Sequence, residues 1–168
     1  TKLERVLFTD RETKLSFVKD SIEPSLEIGE QHVSGLHRVT TEQLFSDVLP
    51  ELAVKWLMDF ENASGSTVWC LLKSAIRFSD PHNLGELIAI RLEQKNWPSD
   101  EHRQAWHAAA FAVEFERFLP HLDAFADESN EHVWDFRSII SDRRDEEILK
   151  LELSIEQICF LIEKFSDF

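Results

Sequence analysis

The chain has 168 residues, of which 18 are Lys or Arg and 32 are Asp or Glu, so its formal charge at pH 7 is −14. This acidity argues against binding to nucleic acid or to an anionic membrane, because both require clustered cations. Apolar residues make up 43% of the chain, which is enough for a buried core. The longest apolar run, residues 108–113, is too short for a membrane span. Two cysteines are too few for a disulfide framework, so we expect a cytoplasmic protein.

Both ends of the chain lie in apolar patterns with helical spacing. Leu3, Val6 and Leu7 share one side of a turn, and Phe160 and Phe165 belong to a pattern without the Gly or Lys that commonly closes a helix. We therefore expect residues 1–168 to form one α-helical domain excised from a longer chain. The alternative is a chain that was shortened for expression.

Helices are predicted along most of the chain, because the low counts of Gly (4) and Pro (5) are unfavourable for a turn-rich β fold. Capping boxes are predicted at Thr9 with Glu12, Thr40 with Gln43 and Ser154 with Gln157, and further helix starts at Ser66, Asn83, Ser99 and Asn130. The predicted helices are 10–20, 41–49, 50–61, 66–78, 83–95, 99–116, 118–128, 130–141 and 154–166.

Two stretches depart from this helical pattern. Residues 21–39 form a less regular N-terminal segment, in which 25–39 are predicted to be loop or extended chain because Leu26 and Ile28 alternate beside Gly29 and Gly35. Apolar residues within 148–153 alternate as a short strand would.

The spacing of three helix starts indicates a repeat. Ser66, Ser99 and Asn130 lie 33 and 31 residues apart, and each opens a pair of helices. Helical hairpins of this size stack in solenoids of the HEAT and TPR type. We expect an all-α fold of stacked helical hairpins, with a compact, non-repeating helical bundle as the alternative.

Negative charge is concentrated in the second half of the chain. Residues 1–84 carry 9 basic and 13 acidic side chains, whereas residues 85–168 carry 9 basic and 19 acidic ones. Such a field could steer a basic protein partner towards the second half. A well-solvated helix surface is the simpler explanation.

Sequence patterns typical of metal, phosphate-binding or catalytic sites are weak in this chain. His102 and His107 are five residues apart, about 140° around a helix, so they do not converge on one metal ion, and Glu128 with His132 straddles a helix break. Gly29 and Gly35 lack the Lys-Ser or Lys-Thr of a phosphate loop. Cys70 and Cys159 lie among apolar residues and are predicted to be buried core thiols. No enzyme activity, metal or cofactor is therefore predicted.

The stretch from Ser99 to Ile140 resembles the helical-repeat region of large bacterial NTPases of the NACHT and related STAND type. The resemblance depends on an aromatic-alanine helix ending in Phe115-Glu116-Arg117-Phe118 and on a helix centred on Trp134 with Arg137. It continues through Ser154-Ile155-Glu156-Gln157 to about residue 165. In that family, the helical-repeat region recognises a foreign component for a bacterial defence sensor, including sensors that act against phage. The resemblance therefore implies a recognition region of this kind. This stretch contains none of the family's nucleotide-binding residues.

The predicted function is a non-catalytic helical scaffold or recognition segment that contacts a protein partner or the flanking domains of its parent chain. Partner contacts are predicted for Asp123, Asp127, Glu128 and Glu131, and core positions for Trp106, Phe111, Phe115, Phe118, Trp134 and Phe136. The alternative is an acidic immunity protein or antitoxin that neutralises a basic toxin such as a nuclease. A helical hydrolase that uses Glu114 and Glu116 is disfavoured, because residues two apart face different sides of a helix.

Overall fold

The computed structural model describes residues 10–78, 80–140 and 153–166, and all regular structure in these ranges is helical, as predicted. The chain divides into two compact units, residues 1–80 and 81–168. In order, the helices are α1 (Arg11–Glu27), α2 (Leu36–Thr41), a 3₁₀ turn (Gln43–Phe45), α3 (Leu49–Asp59), α4 (Gly65–Phe78), α5 (Pro81–Leu92), α6 (Asp100–Val113), α7 (Phe115–Ala126), α8 (Asn130–Ile140) and α9 (Ile155–Ser166). The strand predicted within 148–153 lies almost wholly outside the described residues.

In the first unit, α4 packs against α3 and α2. Trp56 is fully buried, and its Nε1 donates a hydrogen bond to Glu23 Oε1 on α1 at 2.9 Å. Lys14 on α1 also contacts Asp47 at 3.1 Å. Polar side chains of α1 therefore position this helix against the segment that leads into α3 and against α3 itself.

Helix α1 is longer than predicted. It begins after Asp10, whose carboxylate accepts from Thr13 N at 2.8 Å, and runs to Glu27 through Pro24. Val18, Ile22 and Leu26 recur every four residues and are buried, so packing of this stripe maintains the helix past the proline. The irregular segment predicted over 21–39 is thereby confined to 28–35, where Gly29 and Gly35 have positive φ angles of 66° and 80°.

The predicted helix 41–49 is wrong. Helix α2 ends at Thr41, and only a single 3₁₀ turn follows before α3. Thr40 does not cap a helix; it lies inside α2, buried, and its Oγ1 donates to Leu36 O at 2.9 Å. A threonine can bond the carbonyl four residues earlier in this way, and here burial of the side chain favours it.

In the second unit, α6 is the central helix and packs against α5, α7 and α8, while α9 packs against α8. The core is an aromatic cluster in which the Phe111 ring stacks on that of Phe136, with centroids 5.0 Å apart, and meets Phe160 of α9 at 6.1 Å. The remaining rings of the cluster are Phe115 and Phe125.

The predicted continuous helix 99–116 is broken at Glu114, which has φ −140° and ψ 62°. The predicted boundary between helices 99–116 and 118–128 therefore moves to Glu114: Phe115 belongs to α7 rather than to the end of α6, and Phe118 lies in α7 as predicted. Both are buried, and each lies on the inward face of α7. The break lets two aromatic residues reach the core from a new helix direction, which local propensity does not reveal.

Candidate protein-binding surface

Three of the four carboxylates predicted to contact a partner are engaged inside the second unit. Lys164 of α9 lies between Asp123 and Asp127 of α7, with both Nζ–Oδ1 distances 2.5 Å. Glu128 Oε2 accepts from Arg103 Nη1 of α6 at 2.7 Å. Glu131 is exposed at the start of α8. The structure thus brings three of these carboxylates to contacts that join helices, and leaves Glu131 facing solvent.

Lys164 connects α9 to α7. Only 7% of its surface is exposed, and its Nζ lies 5.8 Å from the centre of the Phe160 ring. Hydrogen bonds to Asp123 and Asp127 raise the pKa of Lys164, so the ammonium remains charged. Lys164 was not predicted as a contact residue, although its spacing of four from Phe160 places both on one face of the helix.

The outer face of α9 is apolar and exposed. Ile155, Ile158, Ile162 and Phe165 are spaced three or four residues apart, so they form one stripe along the helix. Trp134 of α8 extends the stripe, because its ring meets the Phe165 ring edge-on with centroids 5.0 Å apart. The exposed fractions are 75% for Ile155, 43% for Ile158, 62% for Ile162, 37% for Phe165 and 50% for Trp134.

We call these five residues the apolar face. Single exposed apolar residues are ordinary on a protein surface, and Ile90 is one of them, but contiguous exposed apolar residues mark interaction sites. A sequence signal for this face existed: α9 has apolar residues on both sides, a pattern typical of a helix that is covered all round.

The apolar face corrects two predictions. Trp134, predicted as a core anchor, is half exposed. The Arg137 guanidinium lies over its ring, with Cζ 5.2 Å from the ring centre. Cys159, predicted as a buried thiol, is exposed on α9, while Cys70 is half-buried with Sγ 3.1 Å from Thr40 Oγ1. Both predictions are wrong because an apolar sequence context does not by itself place a side chain in the core: α9 turns one of its two apolar sides to solvent.

Two titratable groups of the second unit have displaced pKa values. His107 is buried, and its burial lowers its pKa to about 4. Burial raises the pKa of Asp135 to about 6, against the opposing attraction of His132. The Asp135 Oδ2 atom is buried and has no hydrogen-bond partner among the described residues.

His102 is buried near the start of α6 and contacts the residue that caps this helix. Ser99 caps α6: its Oγ accepts from His102 N at 3.4 Å and lies 2.8 Å from His102 Nδ1. Within the described part of the chain, no three His, Cys, Asp or Glu side chains are grouped so as to hold a metal ion. None of the described helices combines the length and the apolar character needed to cross a membrane.

Comparisons of the chain with protein-family models, with curated proteins and with solved structures return no match.

Proposed function

We propose that the chain is a non-catalytic α-helical scaffold that binds a protein partner, or a neighbouring domain of a longer chain, through the apolar face. The observation that carries this proposal is the continuous row of large apolar side chains on α9 and Trp134. Covering such a row removes apolar surface from water, which is the main driving force for protein association.

The charge around the apolar face specifies the partner's chemistry. Glu156 and Glu163 flank the stripe on α9, and Glu131 lies on the neighbouring helix; all three are exposed. Together with the net charge of the second half, these carboxylates favour a partner whose own apolar patch has a basic rim. We therefore expect an apolar contact at the centre and salt-sensitive charge pairs around it.

Stacked helical hairpins are the architecture that fits this proposal best. In a solenoid, each helix pair covers the apolar face of its neighbour, so the last pair of a segment exposes apolar residues. The exposed stripe on α9 has this character. The resemblance to the helical regions of NACHT and STAND NTPases belongs to the same proposal, in which the chain supplies recognition or interdomain contacts and the catalysis lies elsewhere.

The alternative of an acidic immunity protein is favoured by the exposed carboxylates and the net charge of −14. Against it, Asp123, Asp127 and Glu128 already form ion pairs with Lys164 and Arg103. Binding of a basic toxin by these carboxylates would first have to break contacts that hold α9 and α6 in place.

A capture experiment with matched surface variants tests the proposal. The chain is used as bait in extract of its source cells, and the Ile158→Glu/Ile162→Glu double variant is compared with Ile90→Glu, which changes an isolated isoleucine as exposed as Ile162, at 62%. We expect the double variant to lose the captured protein and Ile90→Glu to retain it.

A second arm separates the two functions. The Glu131→Gln/Glu156→Gln variant is assayed at low and high salt. If capture depends on these carboxylates and on low salt but survives Ile158→Glu/Ile162→Glu, the scaffold proposal is wrong and the immunity-protein alternative is supported. If the captured species is a second copy of the chain, sedimentation of the purified protein will show a dimer that the isoleucine variants dissociate.

A further inference from the structure

A groove of about 660 Å³ opens in the second unit, between the segment that follows α5 and the helices α6 and α7. Its size lies within the roughly 300–1,000 Å³ of clefts that hold small molecules. It is separate from the apolar face, since none of the five residues of that face lines it. The side chains used below are Lys95, Trp97, Asp100, Arg103, His107 and His121.

One wall of the groove is a stack of aromatic and imidazole rings. The His107 ring lies between Trp97, at 5.9 Å, and Phe125, at 4.1 Å and nearly parallel. His132 stacks on Phe125 at 3.9 Å, so the rings run as one row away from the groove. Trp97 is half-buried and ends the row at the groove. Its indole therefore offers a flat surface on which a planar ring can stack.

His107 contributes a hydrogen-bond acceptor that the protein does not use. Its Nδ1 lies 2.8 Å from Arg103 O, and because a carbonyl can only accept, Nδ1 carries the proton. Burial lowers the pKa of His107 to about 4, so the ring is neutral at pH 7 and Nε2 has a free lone pair. No described residue forms a hydrogen bond with Nε2, so its lone pair is available to solvent or to a ligand in the groove, although only 6% of the His107 surface is exposed.

The charges of the groove are unlike those of the rest of the chain. Lys95 is exposed and forms no ion pair with any described residue, and His121 is exposed on the facing helix. Arg103 is held by Glu128 and lies over the Phe125 ring at 5.0 Å. Asp100 is the one carboxylate on the lining. The rim thus combines one lysine without an ion pair among the described residues, Lys95, with two side-chain acceptors for hydroxyl or amino groups, the Asp100 carboxylate and His107 Nε2.

We propose that this groove binds a small planar heteroaromatic acid of the purine nucleoside monophosphate type. The ring stacks on Trp97, an amino or ring N–H group donates to His107, and the acidic group lies beside Lys95 and His121. Asp100 accepts from a hydroxyl group of the same ligand. The proposal is independent of the protein-binding function, because it uses neither α9 nor Trp134.

Titration of the full chain with adenosine monophosphate, followed by the histidine imidazole signals in NMR and by calorimetry, tests the proposal. Adenosine and inorganic phosphate are the matched half-ligands. We expect the monophosphate to shift the His107 and His121 signals and to bind about tenfold more tightly than adenosine, because a charge-assisted contact is added. Inorganic phosphate alone should leave the His107 signal unmoved.

Two exposed lysines provide the variant and its control. Lys95→Gln should weaken binding about threefold, the scale of an exposed charge contact, whereas Lys55→Gln in the other unit should not change it. Trp97→Leu should abolish the ring contribution, so that adenosine no longer binds. Absence of any shift at about 1 mM ligand, equal binding of adenosine and its monophosphate, or shifts confined to other histidines would each overturn the proposal.

Discussion

At the scale of single residues, His107 and Asp135 respond to acid in opposite directions. The pKa of His107 is about 4 in the folded protein against 6.5 ordinarily, so between these values the unfolded chain binds more protons and stability falls as the pH falls. The pKa of Asp135 is about 6 against 3.8, so in that window the folded chain binds more protons and stability rises as the pH falls.

The histidine should dominate this balance. His107 is almost fully buried, whereas Asp135 is only partly buried and solvent screens its charge. We expect the protein to lose up to about 3 kcal/mol of unfolding free energy through His107 between pH 6.5 and pH 4, offset in part by Asp135. Urea unfolding at stepped pH measures the slope.

Variants separate the two contributions. His107→Gln should flatten the acid side of the stability profile, and Asp135→Asn should steepen it, because the compensating carboxylate is removed. Identical slopes for the wild type and both variants would contradict this assignment. A folded-state histidine titration near pH 6.5 for His107 would contradict it independently.

Lys164 has a separate role, since it joins α9 to α7 through two aspartates. Lys164→Met retains the apolar stem but removes both ion pairs, and since the aspartates are more than half exposed we expect a loss of about 1 kcal/mol at most. Hydrogen exchange should rise in α9 and not in α5. Arg38→Met, which breaks the exposed Arg38–Glu42 pair, is the control and should cost less.

At the scale of helices, α9 begins at the capping box that the sequence predicts. Ser154 Oγ accepts from Gln157 N at 3.2 Å, and Gln157 Oε1 accepts from Ser154 N at 2.8 Å. Gln157 also donates through Nε2 to Phe111 O at 2.6 Å, which ties the start of α9 to α6.

Ser154→Ala should therefore cost about 1 kcal/mol of unfolding free energy, the usual value of a helix cap. Gln157→Ala should cost more, because it removes the cap and the contact with α6. Ser138→Ala is the control, because among the described residues its hydroxyl bonds the Trp134 carbonyl of its own helix and nothing else. Chemical denaturation gives all three values, and a larger loss for Ser138→Ala than for Gln157→Ala would contradict the prediction.

The aromatic cluster is the element-level source of stability in the second unit. Phe111 is fully buried and contacts rings from α7, α8 and α9. Phe111→Ala should lower the unfolding free energy by about 3–5 kcal/mol, since it leaves a cavity among three helices. Phe165→Ala should cost far less stability and should instead weaken partner binding. Thermal unfolding and the capture assay together distinguish the two residues.

The spacing of apolar and capping residues predicted where most helices lie. It failed at positions where tertiary contacts decide the local structure. Residues Ser99 and Ser154 cap α6 and α9 as predicted, because a capping side chain acts on backbone groups three residues away. The position of the break between α6 and α7, at Glu114, and the passage of α1 through Pro24 were not predicted, since both depend on which residues distant contacts bury. The same limitation applies to the ion pairs of Asp123 and Asp127.

At the scale of the whole molecule, the net charge of −14 acts against folding through self-repulsion. Raising the salt concentration from about 20 to about 150 mM shortens the Debye length and should raise the melting temperature. Partner binding should weaken over the same range if basic groups surround the partner's apolar patch. Circular dichroism melts and the capture assay at matched salt measure both effects, and a melting temperature that falls with salt would contradict the first.

Composition and the periodicity of apolar residues were sufficient for an all-α fold and for an acidic surface, because both follow from local preferences and from counting. The location of the surfaces that can bind something depended on tertiary structure. Packing buried His107 and left Trp134 and one side of α9 in solvent, and it joined Lys164 to two aspartates far away in the chain. These outcomes depend on which helix faces pack against each other. Apolar residues with the same helical spacing are buried where another helix covers them and exposed where none does.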